Sequence, residues 1–520
     1  MAFRVTYATM AAEGDEVHAA FDAGLEELQP LLGQRHGSII SGHERLTGPE
    51  VVERSPVDTD VLIGRFVEAT AADVAEAVGI AKAFAPTWAE TPWRDRVRLL
   101  EAGADLISER RNVISALLTV EVGKNRLESL GDVEETADLI RYYNHQLVDH
   151  DGFEQPMGRL NPAEATSDVL RPYGVWGVVA PFNFPAALSG GPAGAALAAG
   201  NTVVVKPPPQ GVGTTLAIVR CLLDGGIPAE ALHVVVGGDD VGRALVADPR
   251  IDGLTFTGSY EVGMELYRQA AGAYPRPVIC EMGGKNPVIV SREADLDVAA
   301  EGTARSAFGL SGQKCSAASR VYVERPVAEA FVERLVERAR AIQPADPRDR
   351  DTYLGPVVDE AALERFQRAV QEARAEGEVL AGGHRVSEGA LGRGYYVEPT
   401  VVRVPPTSWV ATSELFVPLI AVDVVDSVDE AITRANDTPL GLTAGFYSRD
   451  DAEVDRFLSR IEAGVVYVNR RAGATTGAWP GVQPFGGWKG SGSGGKAGGG
   501  PYYLQQYLRE QSRTIVEEQG

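Results

Sequence analysis

The chain has 520 residues, 44% of them hydrophobic and 23% charged, which is the balance of a globular protein of two or three domains. A formal net charge of −23 leaves no basic footprint for nucleic acid. Three cysteines without a CxxC pair and seven scattered histidines argue against a disulfide framework and a metal site, and fit a reducing, cytoplasmic setting.

The first residues, "MAFRVTYATMAAEGDEVHAAF", show no charged stretch followed by an apolar core, so no signal peptide is expected. Residues 1–40 read as a helical arm leading into "GSIISG", and 70–148 read as helical. There Leu127, Leu130, Val133, Ala137 and Ile140 recur at three and four residues and form one apolar face. The longest apolar stretch, "VWGVVAPFNFPAALSGGPAGAALAAGNTVVVK", is broken by Pro181, Asn183, Pro185 and a Gly-Gly pair. It predicts strand, loop, helix and strand rather than a membrane span.

From 171 to 290, short β-branched runs alternate with helical segments: "GVWGVVAP", "NTVVVKP", "LHVVVGG", "GLTFTGS" and "PVICEMGGKNPVIV". Apolar strands separated by helices such as "GVGTTLAIVRCLL" predict a parallel sheet covered on both faces. A second alternation follows, with strands at "RVYVER", "VVRV", "LIAVDVV", "TAGFYS" and "GVVYVN" and helices near 327–343, 360–376 and 428–436. The end is Gly-rich from 481 to Gly500 and then reads as a strand or arm. The fold class is therefore α/β, with two α/β units and no internal repeat.

Chemistry concentrates at a few positions. Lys206 ends the apolar strand "TVVVK", where doubly wound sheets bind nucleotides, although a solvated strand-end charge would look the same. Gly258 and Ser259 lie between a strand and a helix, a turn whose helix N-terminus can take a phosphate. Asn183, between prolines and aromatics in "APFNFP", is either a turn cap or a rigid donor for an oxyanion. Glu281 leaves an apolar strand in "VICEMGGK", as a salt-bridged strand end or as a base of raised pKa. Cys221 and Cys280 sit in apolar runs, whereas Cys315 sits in the small, polar "GLSGQKCSAASR" and has no neighbouring histidine.

In this order, "APFNFP", "NTVVVKP", "FTGSYEVG", "EMGGKNP", "GQKCSAASR", "GYYVEPTV", "SELFVP" and "QPFGGWKGSG" resemble the NAD(P)-dependent aldehyde dehydrogenases over residues 45–515. The resemblance implies a Rossmann-type NAD(P)-binding domain (1–150 and 171–280), a catalytic domain (281–480) and an oligomerisation arm (151–170 and 481–520). It implies Cys315 as nucleophile, Asn183 with the Cys315 amide as oxyanion donors, and Glu281 as the base that releases the acid. It implies cofactor contacts at Lys206, Gly258, Ser259, Pro181, Phe182 and Glu414, and a homo-oligomer, dimer or larger. Two positions depart from the family: Pro209 stands where a carboxylate often follows the ribose lysine, so NADP is possible beside NAD, and Val417 replaces a usual glycine.

Within the family, "TVEVGKN", "GQKCSAASR" and "GVQPFGGWKGSG…KAGGGPYYL" resemble the pyrroline-5-carboxylate dehydrogenases, which oxidise glutamate γ-semialdehyde. Ser316, Gly490, Ser491 and Gly492 are then expected to hold the substrate carboxylate; a flexible Gly/Ser loop is the alternative. Trp488 and Gly494-Gly495 fit that subgroup poorly. The competing expectations are a dehydrogenase for other aliphatic or aromatic aldehydes and a non-catalytic NAD-binding structural protein. A coenzyme A-acylating relative would not need Glu281.

Overall fold

The computed structural model describes residues 14–270, 274–474 and 479–516. Two large sheets carry the molecule. The first runs in the order Val278–Met282, Gly253–Gly258, Val175–Val179, Thr202–Lys206, Leu232–Val234, Arg35–Ile40, Leu62–Val67 and Glu50–Arg54, with His43–Arg45 paired to Arg35–Ile40. Its first five strands are mutually parallel. Their β-branched side chains are buried on both faces, as a sheet sandwiched between helices requires. On one face lie Trp93–Glu109, Arg126–Asp149, Ala187–Ala199 and Val212–Asp224, burying Leu100, Val133, Ile140, Leu197 and Leu216 against Val203 and Val205. On the other, Ala71–Glu90, Asp239–Ala247 and Tyr260–Gln269 bury Val74, Val78, Leu245 and Leu266 against Val175, Val204 and Leu254. Each such aliphatic side chain contributes about 1.5–3 kcal/mol by burial.

The second sheet runs Glu378–Ala381, Thr400–Arg403, Leu419–Val425, Ala318–Glu324, Asn286–Val290, Thr443–Tyr447 and Val465–Val468. All its pairings are parallel except the first. Leu296–Phe308 and Ala328–Ala341 cover one face, and Val428–Asn436 and Asp451–Arg460 the other. A small antiparallel sheet joins Glu154–Pro156, Glu164–Pro172 and Leu508–Val516.

Three expected boundaries shift. The strand carrying Glu281 lies wholly in the first sheet, so a division at 280/281 would cut it; the chain changes sheet at Gly283-Gly284-Lys285. Residues 481–507 are not arm: Tyr503 and Tyr507 pack against Tyr143 and Trp176 in the core of the first unit. Toward the N-terminus, Asp15–Leu28 packs Phe21 and Leu28 on Ala116, Val120 and Ile63 as part of the body rather than an arm, and residues 1–13 lie outside the described residues.

Helices Arg126–Asp149 and Ala187–Ala199 touch through glycine. A Cβ at Gly190, Gly191 or Gly194 would run into Thr136, Leu139 or Ile140. This "SGGPAGAALAAG" helix is small-sided because it must lie almost backbone to side chain against its neighbour. The packing brings the loop before it, which holds Asn183, close to the rest of the site.

Candidate active site

One cleft of about 930 Å³ runs along the C-terminal edge of the first sheet and into the gap before the second. Val179, Lys206, Gly258 and Met282 end four adjacent parallel strands and all line it, which is where open α/β sheets bind ligands.

At one end the walls are Lys206, Pro208, Pro209, Gln210, Gly258 and Ser259. The Lys206 side chain is buried, and its ammonium makes no hydrogen bond or ion pair among the described residues. Burial pushes its pKa down to about 8 against the raising fields of Asp239 and Glu68. A buried, unpartnered cation aimed into a cleft is a seat for ligand oxygens. Ser259 caps the helix Tyr260–Gln269 by accepting from the Val262 amide at 3.3 Å, which leaves a helix N-terminus with its positive dipole end on the cleft wall. Pro181, Phe182 and Glu414 also line the cleft. The Glu414 carboxylate accepts from the Gly284 amide at 2.9 Å; burial raises it to about 7, and a Cβ at Gly283 would collide with it. Phe182 meets Phe416 edge to face at 5.8 Å, Phe416 taking φ +56 beside the buried Val417. A buried cation, a helix N-terminus and a carboxylate along one cleft can meet the phosphates and hydroxyls of an extended polar ligand.

At the other end are Cys315, Glu281 and Asn183. Cys315 follows Leu310, Ser311 and Gly312, all left-handed with φ of 48, 53 and 69. Left-handed backbone at a non-glycine residue costs about 1–3 kcal/mol, and here the surroundings hold it in place. The Ser311 hydroxyl donates to the Gly355 carbonyl at 2.7 Å. Asn286 Nδ2 donates to the carbonyls of Cys315 (2.7 Å) and Ala317 (2.9 Å), while its Oδ1 accepts from the Thr443 amide at 3.0 Å. Burial, with the fields of Glu414 and Glu281, pushes the Cys315 thiol up to about 12; the Ser316 and Cys315 amides, both directed at it, act against this. Asn183 Nδ2 donates to the Gln313 carbonyl at 3.0 Å, which ties it to the cysteine loop and leaves its second N–H uncommitted by that bond. Burial raises Glu281 to about 8, offset in part by the Gly487 amide, and its Oε2 has no hydrogen-bond partner among the described residues. A carboxyl near 8 gains and loses a proton readily at working pH. Cys221 and Cys280 are fully buried and do not line the cleft.

The expected carboxylate-binding group needs correction. Gly490, Ser491, Gly492 and Ser316 do not line the cleft. The Ser491 hydroxyl donates to the Gly283 carbonyl at 2.6 Å and accepts from the Gly441 amide at 2.9 Å, and the Gly490 amide donates to the Pro439 carbonyl at 2.8 Å. A fully buried hydroxyl whose one O–H is already donated has no donor left for a carboxylate. The segment instead docks on the strand carrying Glu281. Glu281 faces Gly492 in an antiparallel bridge flanked by Met282 N–H to Ser491 O and Ser493 N–H to Cys280 O, at 2.9 and 3.1 Å. Ser316 is buried beneath the wall, its carbonyl accepting from the Thr443 hydroxyl at 3.2 Å.

Sequence reasoning missed Glu135, Leu139 and Tyr143, which line the catalytic end at four-residue spacing on one helix, and Phe485, Gly498 and Tyr503 from the Gly-rich tail. The four-residue spacing was available as a signal; the tail's return was not. Asn286 was also missed, although it stands in the quoted "EMGGKNP".

A sequence model of the Aldehyde dehydrogenase family matches residues 46–512. The chain is 35% identical over 505 residues to 1-pyrroline-5-carboxylate dehydrogenase 1 of Halalkalibacterium halodurans, covering 96% of each. It is 34% identical over 506 residues to the 1-pyrroline-5-carboxylate dehydrogenase of Anoxybacillus flavithermus, again covering 96% of each. A crystal structure of 1-pyrroline-5-carboxylate dehydrogenase from Thermus with bound NAD superposes with a TM-score of 0.92 at 33% identity, covering 97% of both chains.

Proposed function

The chain belongs to the aldehyde dehydrogenase family, and from that premise we propose that it oxidises glutamate γ-semialdehyde to glutamate with NAD. The observation that carries the reading is the convergence of Cys315, Glu281 and Asn183 at one end of a cleft whose other end presents Lys206 and Ser259.

Cys315 attacks the aldehyde carbon as a thiolate, and the carbonyl electron pair moves onto oxygen. Asn183 Nδ2–H and the Cys315 N–H are the donors for that oxyanion; such a donor typically contributes about 2.7–4 kcal/mol to the barrier. The thiol, held near 12, needs a proton acceptor, and Glu281 is a carboxylate whose field it already feels. The dinucleotide, when bound, supplies the acceptor for the hydride that the adduct loses on becoming a thioester. Glu281 passes the thiol proton to solvent and, ionised again, takes a proton from water; the water oxygen attacks the thioester carbon, the carbon–sulfur bond breaks, and that proton returns to the leaving thiolate as the acid departs. Lys206, the Ser259 turn and Glu414 hold the dinucleotide along the cleft.

A second reading, oxidation of neutral aliphatic or aromatic aldehydes, draws on Phe182, Phe184, Phe485 and Tyr503 in the same wall. Pro209 puts no carboxylate opposite a 2′-phosphate, which supports use of NADP as a secondary cofactor. We also assign the chain to a homo-oligomer. Met157, Leu160, Ile515 and Val516 of the small antiparallel sheet and its connecting loop are exposed apolar groups, which a neighbouring copy would cover. Among the described residues no helix is long and apolar enough to cross a membrane.

The test is formation of reduced cofactor by purified protein with NAD and NADP across glutamate γ-semialdehyde, succinic semialdehyde, hexanal and benzaldehyde. A kcat/KM highest for glutamate γ-semialdehyde with NAD supports the reading. Highest values for the neutral aldehydes move it to the second, and no turnover of any aldehyde removes both.

A further inference from the structure

The motif "TVEVGKN" contains Lys124, for which the mechanism above has no use. Its side chain is fully buried, and its ammonium donates to Asp132 Oδ2 at 2.8 Å. It also lies 3.6 Å from the ring centroid of Phe184, the residue after Asn183. Asp132 Oδ1 accepts from the backbone amide of Ala187 at 2.8 Å. Ala187 opens the helix Ala187–Ala199, which has no side-chain cap of its own. An uncapped N-terminus leaves orphan amides and a positive dipole end, and a carboxylate there satisfies both. Asp132 is thus a cap supplied by another helix.

One turn earlier on that helix, Glu128 pairs with Lys314 at 2.9 Å, both side chains nearly buried. Lys314 is the neighbour of Cys315, and Gln313 accepts the hydrogen bond from Asn183. Two acidic residues four apart therefore hold the two segments, distant in sequence, that meet around the oxyanion.

We propose that Lys124 and Asp132 are positioning residues that fix Asn183 for oxyanion stabilisation, by capping the helix that follows it and clamping Phe184 beside it. This rests on the reading of Asn183 and Cys315 given above. The pair touches neither the cleft's Lys206 end nor the reacting atoms, so its effect falls on kcat and not on the KM for NAD. Small misplacement of a catalytic group costs up to about 10²-fold.

The test is a double-mutant cycle in the full chain. Lys124→Met with Asp132→Leu removes ion pair and cap together, so that no buried charge is left alone. We expect kcat to fall about 10–100-fold, with unchanged KM for NAD and an unchanged rate of Cys315 alkylation by iodoacetamide. Lys124→Met with Asp132→Asn, whose amide oxygen can still accept from Ala187, should recover most of that loss. In an Asn183→Ala background the apolar pair should cost less than about twofold more, because the effect passes through Asn183. A wild-type kcat in the apolar pair, or its full loss repeated on top of Asn183→Ala, overturns the proposal. If the apolar pair does not fold, Asp132→Glu serves the same cycle: it keeps the charge, displaces the cap by one methylene, and should cost several-fold in kcat with the same dependence on Asn183. Full activity in Asn183→Ala alone would instead show that the oxyanion reading is at fault.

Discussion

The two ends of the cleft are built in different ways. The Lys206 end is made from the ends of adjacent strands and the turns that follow them: Lys206 with Pro208 and Pro209, and Gly258 with Ser259. Each is a strand-to-loop junction within a few residues of chain, and its position follows from the parallel sheet itself. The Cys315 end is assembled from segments that are not neighbours in sequence. Asn183 comes from a loop ahead of a glycine-lined helix, Glu281 from a strand whose free edge is closed by residues 491–493, and Cys315 from a left-handed turn pinned by Asn286. The difference separates the roles: substitutions at the first end should act on cofactor binding, and those at the second on turnover.

The largest expected effect is at the nucleophile. Cys315→Ala should abolish oxidation while the melting temperature and the NAD dissociation constant stay near wild type, since a small polar loop loses only a sulfur. Retained turnover, with loss of activity in Cys221→Ala or Cys280→Ala instead, would break the comparison at its centre.

Next comes the base. Glu281→Gln should lower steady-state turnover by about 10²–10⁴-fold while rapid mixing still shows a burst of NADH. Equal slowing of burst and steady phases would assign Glu281 elsewhere. The same residue carries two pH predictions. The base must be ionised, so turnover should rise as pH rises through about 8. Its folded pKa is raised from 4.5 to about 8, so the native state holds a proton that the unfolded chain has released between those values, and stability falls as pH rises across that window. Glu281→Gln should flatten this fall, raising the melting temperature more at pH 9 than at pH 5. An equal change at both pH values would mean that the carboxyl is ionised in the fold.

Ser491 sharpens the contrast between a ligand and a support. Ser491→Ala leaves the Gly283 carbonyl and the Gly441 amide without their buried partner, which costs roughly 1–3 kcal/mol of stability. It should depress kcat several-fold for glutamate γ-semialdehyde and for a neutral aldehyde alike, through the Glu281 strand. A loss confined to the carboxylate-bearing substrate would return Ser491 to the substrate site.

The smallest effect is expected at the other end. Pro209→Glu should raise the KM for NADP several-fold more than that for NAD and leave kcat with NAD unchanged. An unchanged ratio of the two kcat/KM values would show that position 209 does not meet the ribose.

Strands, covering helices and the strand-end positions of Lys206, Gly258 and Glu281 were legible in the sequence, because alternation of apolar runs and the chemistry of a strand's last residue are local properties. Cys315 stood out for a similar reason: three cysteines in two kinds of surroundings can be told apart by their neighbours alone. The Gly-rich tail was misread because glycine and serine carry no pattern that says what they touch. Only the tertiary structure decided that Ser491 faces Gly283 and Gly441 rather than a ligand, that Asn286 grips the Cys315 carbonyl, and that Asp132 caps a helix not its own. Each is a hydrogen bond between groups far apart in sequence, and its partner is chosen by which buried donors and acceptors the packed sheets leave unsatisfied.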